Sequence, residues 1–233
     1  MNNNIVCIVN HNDNDNAIML KMMFSNYLET IIIDSGSDVV LDDFDVKLPN
    51  VGYSGLFNEA CDIAIKKEVD GILFICSDVS IKKKQVKEIV DKINNLKSSE
   101  IGVYSPSSRG QSHAHCKKRG EEMREVVFVE GFMFYAFIDI IKEVYPVDLN
   151  INRLGYGLDA HKGLACIVNN KKCVIDDSIE IYHKEGTGYN TQVASNQFIS
   201  YMNLHKDLGE FWRNYQAHDY NSDLFLNYIN EKV

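Results

Sequence analysis

Two carboxylates follow apolar runs of the sequence, at positions where buried strands would end. Asp34 comes directly after residues 31–33, and Asp78 follows residues 72–75 after a short turn. In open α/β sheets, ligands bind at the carboxyl ends of the strands. A carboxylate at such a position can hold a divalent cation or accept a hydrogen bond from a sugar hydroxyl. Asp34 and Asp78 are therefore candidate ligand-binding residues.

A glycine-bearing turn lies between these two acids. Gly52 and Gly55 can adopt backbone conformations that other residues avoid, and they let a ligand approach the main chain closely. The pattern after the turn predicts a helix over residues 53–67, whose first N–H groups would favour a phosphate. The alternative is a plain strand-helix-strand unit in which the glycines only make turns.

The elements that would position these residues alternate along the first half of the chain. Short apolar runs typical of buried strands occupy residues 5–9, 31–33, 72–75 and 101–104, and residues 39–46 are a weaker strand candidate. Helical patterns lie between them, at residues 17–28, 53–67 and 81–96. This order predicts a parallel sheet with right-handed crossovers and helices on both faces.

The alternation ends at Ser105. Residues 105–125 are polar, basic and without clear period, which predicts a mobile loop or hairpin beside the substrate. His113 and His115 leave a metal pair as an alternative, although no further ligand lies near them in the sequence. The pattern then predicts a strand at 126–129 that runs on into a helix ending at Val144, before Pro146. Later segments are a helix at 160–168, strands at 172–175 and 179–183, a loop at 184–189, and helix from Thr191.

Composition excludes several classes of protein. The chain has 233 residues and a formal net charge of −9, which argues against a nucleic-acid-binding surface. Its six cysteines form no Cys-x-x-Cys pair, so a zinc site has little support and a reducing, cytoplasmic compartment is expected. No apolar run approaches the roughly 18 residues of a membrane span, and no signal-peptide pattern is present.

Six short motifs occur in a consistent order. They are Ile-Asp-Ser-Gly-Ser-Asp at 33–38, Asn-Val-Gly at 50–52 with Asn58, Phe-Ile-Cys-Ser-Asp at 74–78, Val-Glu-Gly at 129–131, Gly-Tyr-Gly-Leu-Asp at 155–159 and Tyr-His-Lys-Glu-Gly at 182–186. This series resembles the family 2 glycosyltransferases of the GT-A fold, over about residues 4–190. The resemblance implies a mostly parallel, twisted α/β sheet flanked by helices. It implies a GT-A glycosyltransferase domain at 1–190 and a helical extension at 191–233 packed on it.

The resemblance also implies roles for particular residues. Contacts to a nucleotide-diphosphate sugar are expected at Asn10, His11, Asp34, Asn50, Gly52, Asn58, Ser77 and Asp78. A divalent cation, Mn²⁺ or Mg²⁺, would be held by Asp78 and His183, and Asp159 would be the general base. The implied reaction is an inverting transfer of the sugar to a glycan or lipid-linked acceptor hydroxyl.

One departure from the family pattern concerns the metal. Cys76 stands where the Asp-x-Asp signature has its first acid, and a single carboxylate weakens a Mg²⁺ or Mn²⁺ site because these ions prefer several hard oxygen ligands. A catalytically inactive GT-A-like module that binds nucleotide sugars or serves as a scaffold is therefore the alternative. A nucleotidyltransferase is less favoured, since the residues after the first strand (10–13) are not glycine-rich. The tail, with Trp212, could cover the core, pair two subunits in a homodimer, or touch a membrane surface peripherally.

Overall fold

A mixed sheet forms the centre of the computed structural model, which describes residues 3–110, 112–184 and 190–231. Within these residues nine strands are present, in the order β3-β2-β1-β4-β8-β6-β9-β5, with β7 paired to β9. The strands are β1 (Asn4–Asn10), β2 (Glu29–Ser35), β3 (Val46–Leu48), β4 (Gly71–Cys76), β5 (Val79–Ser80), β6 (Ile101–Gly110), β7 (Met123–Val126), β8 (Met133–Phe137) and β9 (Lys172–His183). The helices are α1 (Asn14–Phe24), α2 (Gly52–Lys66), α3 (Lys83–Asn95), α4 (Ile138–Val144), α5 (Leu158–Val168), α6 (Thr191–Leu204), α7 (Lys206–Ala217) and α8 (Ser222–Asn230).

The first half of the chain folds as the alternation predicts. Strands β3, β2, β1 and β4 are parallel neighbours, and every residue of β1 is buried. Such strands carry apolar residues at successive positions because both of their faces are covered. Helices α1 and α3 pack on one apolar cluster and α2 on the other, so helices lie on both faces of the sheet. The predicted strand at 39–46 is wrong except for its last residue, since β3 begins at Val46.

Strand β8 interrupts the parallel order. It pairs antiparallel with both β4 and β6, so β4 and β6 are not neighbours. Its residues were predicted to lead into a helix, but the structure places the helix start at Ile138. All five β8 residues are buried, and a run of apolar residues this short fits a strand covered on both faces as well as it fits a buried helix. The pairing partners on either side decide in favour of the strand.

The second correction concerns residues 105–110, which continue strand β6 to Gly110 instead of starting a loop. Their partner is β9, a single parallel strand where two strands were predicted, with a register shift between Pro106 and Ser107. The side chains of Ser105 and Ser107 donate to main-chain oxygens, which lets this polar segment be buried in the sheet. The far end of β9 carries His183, and β5 pairs beside it.

The three C-terminal helices cover the same apolar cluster as α2, α4 and α5. Tyr201 of α6, Phe211 and Tyr215 of α7, and Phe225 of α8 are buried in it. Core packing is thus one role of the tail, and the division of the chain at residue 190 stays a prediction. Among the described helices, none is long and apolar enough to cross a membrane.

Candidate functional site

A cavity of about 700 Å³ opens at the carboxyl end of β4, between the sheet, the start of α5 and helices α6 and α7. Its polar lining includes Asp78, Glu130, Asp159, His113 and His183. Its aromatic lining is Tyr53, Phe128, Phe132, Tyr156, Phe198 and Trp212. Three of the predicted site residues, Asp78, Asp159 and His183, therefore share one cavity.

Strand β5 brings Asp78 and His183 together across a long separation in sequence. Val79 is paired with His183, and the His183 Nε2 atom lies 3.3 Å from Asp78 Oδ2. The Phe132 ring stacks on the His183 ring, with centroids 4.2 Å apart and planes 14° apart, and so fixes its orientation. The second carboxylate oxygen, Asp78 Oδ1, is buried and has no hydrogen-bond partner among the described residues.

Asp78 and His183 could supply two of the ligands that a divalent cation needs, but not a complete set. The orphaned Asp78 oxygen is a hard donor and an imidazole can complete a pair of ligands. Within the described ranges, no cluster of three or more His, Cys, Asp or Glu residues could hold a metal ion, so phosphate and water oxygens would have to supply the remaining ligands. Burial, with a contribution from Asp78, raises the pKa of the Cys76 thiol well above its usual range. Without a bound cation, Cys76 is therefore a neutral thiol, and its sulfur is a soft ligand that Mg²⁺ and Mn²⁺ do not favour over oxygen.

The Asp159 carboxylate is held at the start of α5 by a buried lysine. Gly157, with φ of +90°, forms the N-cap position, and Asp159 lies in the first turn. Lys162 Nζ donates to Asp159 Oδ1 at 3.0 Å and lies 4.3 Å from the centroid of the Phe134 ring. The Lys162 side chain is 1% exposed, whereas that of Asp159 is 30% exposed. One oxygen of Asp159 is thus fixed by the protein, and the carboxylate still reaches the cavity.

Glu130 is a site residue that the sequence reasoning did not single out. Its Oε1 accepts a hydrogen bond from the His113 N–H at 3.0 Å, and its Oε2 is buried without a partner among the described residues. Burial raises the pKa of Glu130 to about 7, helped by the charge of Asp159 and opposed by the bond from His113. Glu130 forms part of the Val-Glu-Gly motif, but its burial depends on contacts that a motif does not reveal. A carboxyl group with such a pKa can take or give a proton near neutral pH.

Glu130 should make folding stability depend on pH. The folded state keeps the proton up to about pH 7 while an unperturbed Glu releases it near 4.5, so between these values the folded state binds more protons and stability falls as pH rises. The loss is expected to reach about 3 kcal/mol. Denaturant unfolding from pH 4 to 8 should show that the stability of the native protein relative to Glu130→Gln falls by this amount as pH rises, because all other titrating groups contribute equally to both proteins. Glu88→Gln, at an exposed position on α3, should keep the pH profile of the native protein; a parallel pH profile for native protein and Glu130→Gln would contradict the assignment.

Asn10 and Asp34 are brought together, but away from the cavity surface. Asp34 is fully buried, and its Oδ1 accepts from Asn10 Nδ2 at 2.8 Å and from the Ser37 hydroxyl at 2.5 Å. The Ser37 N–H donates to Asp34 Oδ2 at 3.1 Å. These bonds tie together the turns that follow β1 and β2. His11 is exposed beside them, with Nδ1 2.8 Å from the Ser35 carbonyl oxygen. Nucleotide contacts by Asn10, His11 and Asp34 stay a prediction.

Asn50 and Gly52 lie at the start of α2, next to Arg153. Arg153 donates from Nη2 to the Asn50 side-chain oxygen at 2.8 Å and also to its main-chain oxygen. Gly52 has φ of +69°, and a Cβ atom there would lie 2.6 Å from the Arg153 carbonyl oxygen. Only glycine fits this close approach, so the predicted glycine turn is a contact between α2 and the segment that leads to Asp159.

Asn58 and Ser77 have main-chain partners within the fold. The Asn58 side-chain amide donates to the Val147 carbonyl at 2.8 Å and accepts from the Val147 N–H at 2.9 Å. Ser77 is buried, and its N–H donates to the Val9 carbonyl at 2.9 Å. Neither residue lines the cavity. Their predicted contacts with the nucleotide sugar therefore have no support from the cavity geometry.

The two histidines of the basic segment have separate positions. His115 is buried, with Nε2 3.0 Å from the Phe128 carbonyl oxygen and Nδ1 3.2 Å from the Tyr215 hydroxyl. Burial lowers its pKa to about 3. Both ring nitrogens are used inside the core, so the structure does not support a metal pair. His113 is exposed and lines the cavity, in agreement with a segment beside a ligand. The Glu-Gly part of the 182–186 motif, and the predicted loop from 185 to 189, lie outside the described residues.

Several solved structures are similar to this chain over most of its length. Glucosyl-3-phosphoglycerate synthase from Mycobacterium tuberculosis, in complex with Mn²⁺, UDP-glucose and phosphoglyceric acid, superposes with a TM-score of 0.57 and 12% identity, over 87% of this chain and 79% of that one. GalNAc-T7 with UDP, GalNAc and Mn²⁺ gives 0.55 and 11%, over 81% of this chain but only 45% of that one. A mycobacterial protein gives 0.60 and 12%, over 86% and 74%. No family model and no curated protein sequence matches the chain. The structural likeness confirms the predicted GT-A fold.

Proposed function

We propose that this chain transfers a sugar from a nucleoside-diphosphate sugar to a hydroxyl group of a glycan or lipid-linked acceptor. The observation that carries the proposal is the shared cavity: the Asp78–His183 pair and the Asp159 carboxylate face it from a GT-A sheet. Ligands of open α/β sheets bind at this edge. The similar structures that contain Mn²⁺ together with UDP or a UDP-sugar support the same reaction class. Membership of family 2 is part of the proposal.

The donor side of the site is assigned to Asp78 and His183. Their orphaned carboxylate oxygen and imidazole would hold Mn²⁺ or Mg²⁺, which when bound neutralises the charge that develops on a leaving diphosphate. The six cysteines are all free, which suits the cytoplasmic location that we propose, with peripheral membrane contact if the acceptor is lipid-linked.

The acceptor side is assigned to Asp159. A carboxylate within hydrogen-bond reach of a hydroxyl can take its proton as the hydroxyl attacks. Lys162 fixes one oxygen of Asp159 and keeps the side chain from rotating away, so the other oxygen can meet the acceptor. Direct attack by the activated hydroxyl inverts the anomeric carbon, and that stereochemistry is part of the proposal.

Calorimetry with purified protein tests the function. UDP, GDP and dTDP sugars are titrated with and without Mn²⁺, and we expect one nucleotide series to bind, with affinity that rises when Mn²⁺ is present. Release of the nucleoside diphosphate in the presence of acceptor then measures transfer. Failure of every nucleoside diphosphate to bind would refute the proposal. Tight donor binding without hydrolysis or transfer across an acceptor panel would favour the inactive, nucleotide-sugar-binding module.

A further inference from the structure

One wall of the cavity is built from aromatic side chains of the C-terminal helices. Trp212 of α7 and Phe198 of α6 line it together with Phe128. The Trp212 ring is packed against Phe198 at a centroid distance of 5.2 Å, Tyr215 at 5.7 Å and Phe128 at 6.2 Å. These contacts hold the indole in place while part of it stays exposed. A fixed, partly exposed aromatic ring is a preorganised binding surface.

The aromatic wall lies next to the proposed base. A Cβ atom on Gly157, two residues before Asp159, would lie 3.2 Å from the Phe198 ring. The Leu154 N–H donates to Gln197 Oε1 at 2.9 Å, which ties the same turn to α6. The wall and the turn that leads to Asp159 are therefore held by one set of contacts, and the rings and the Asp159 carboxylate line the same cavity.

The charge of the cavity limits what can rest there. Asp78, Glu130 and Asp159 line it, and no lysine or arginine lines it in the described ranges. The nearest buried cation, Lys162, is bonded to Asp159, and the Arg153 guanidinium is bonded to Asn50. A cation held by Asp78 and His183 would neutralise charge on the donor diphosphate and would not be available to the acceptor. An anionic acceptor at the aromatic end would find no lysine or arginine among the described lining residues to pair with, whereas a neutral hydroxyl group can donate to the carboxyl groups.

We propose that the acceptor is an uncharged sugar ring that stacks on the wall formed by Trp212 and Phe198 and donates hydroxyl hydrogen bonds to Asp159 and Glu130. This inference rests on the proposed function and names its acceptor class. The C–H face of a sugar ring is apolar and suits the electron-rich face of an aromatic ring, while its hydroxyl groups suit carboxylate acceptors. The cavity volume of about 700 Å³ lies within the range of small-molecule sites. The acceptor class differs from the phosphoglyceric acid bound by the mycobacterial synthase.

Tryptophan fluorescence tests this proposal directly, because Trp212 is the single tryptophan of the chain. Octyl glucoside and octyl glucuronide, below their micelle concentrations, form a matched pair that differs by one carboxylate, and 3-phosphoglycerate is a second anion. Each is titrated with and without UDP and Mn²⁺. We expect the neutral glycoside to change the Trp212 emission saturably and the anions to bind at least about ten-fold more weakly. Anions that bind as tightly as the neutral glycoside would overturn the proposal, as would absence of any glycoside binding.

A pair of variants separates the acceptor wall from the donor site. Trp212→Leu should weaken glycoside binding about ten-fold in calorimetry and leave UDP binding unchanged. Tyr27→Leu, which removes an exposed ring just beyond the end of α1, should change neither. Circular dichroism checks that both variants fold. If UDP binds and Trp212→Leu leaves glycoside affinity unchanged, the acceptor proposal fails and the proposed function stands; if glycosides bind but no nucleotide does, the proposed function fails.

Discussion

Replacing Asp159 with asparagine is expected to lower the rate of sugar transfer by about 100- to 10,000-fold. Asparagine keeps an oxygen for the bond from Lys162 and so preserves the start of α5, but it cannot take a proton from the acceptor. The measurement is steady-state release of nucleoside diphosphate, with donor affinity followed by calorimetry. Donor affinity should change little, because the loss concerns the attacking hydroxyl.

The matched control for this variant is Asp91→Asn. Asp91 lies on the exposed face of α3, where it forms an ion pair with Lys87, so its loss should leave transfer unaffected. Transfer by Asp159→Asn at the native rate would remove Asp159 as the base. Glu130, with its pKa of about 7, would then be the next carboxyl group to examine for that role.

Replacing Asp78 with asparagine is expected to abolish metal-dependent donor binding and to lower transfer by about 100- to 1,000-fold. The substitution keeps the shape of the side chain and removes its charge, so the orphaned oxygen loses its value as a cation ligand. Mn²⁺ titration followed by calorimetry in the presence of UDP measures the effect. Chelation of metal from the native protein should lower its activity in the same way.

Asp42→Asn is the control for the metal variant, because the Asp42 side chain is fully exposed. Its Oδ1 atom lies 3.7 Å from Lys47 Nζ. It removes one negative charge without touching the cavity. Equal Mn²⁺ affinity in native protein and Asp78→Asn would exclude Asp78 as a ligand. A response of Asp42→Asn equal to that of Asp78→Asn would show that net charge, and not a specific ligand, is responsible.

The sequence predicted local structure well where the residue pattern within a segment is enough to define it. The strands at 5–9 and 72–75 and the helix at 53–67 were confirmed, because a periodic or uniformly apolar pattern is enough to define them. Strand β8 was missed because its identity depends on β4 and β6, which pair with it from distant parts of the chain. The strand at 105–110 was missed for a related reason, since its polar side chains are satisfied by main-chain atoms far away in sequence.

The candidate site was predicted in part. The ordered motifs assign Asp78, Asp159 and His183 to one transfer site, and in the structure all three line the same cavity. Their individual roles stay proposals. Asn58 was assigned to the nucleotide sugar from its motif, yet its amide is engaged with Val147. Glu130 and Trp212 were not assigned to the site, because the properties that mark them are burial and position in the assembled fold.

The two sides of the cavity come from opposite ends of the chain. Asp78 belongs to the parallel half built by the first four strands, whereas Phe198 and Trp212 belong to α6 and α7. Substitutions in the last 40 or so residues can therefore reshape one wall without altering the strand order or the Asp78 turn. In evolution, the preference for the acceptor can therefore change while recognition of the nucleotide-sugar donor is maintained. For engineering, the same layout makes α6 and α7 the region to randomise when a new acceptor is sought.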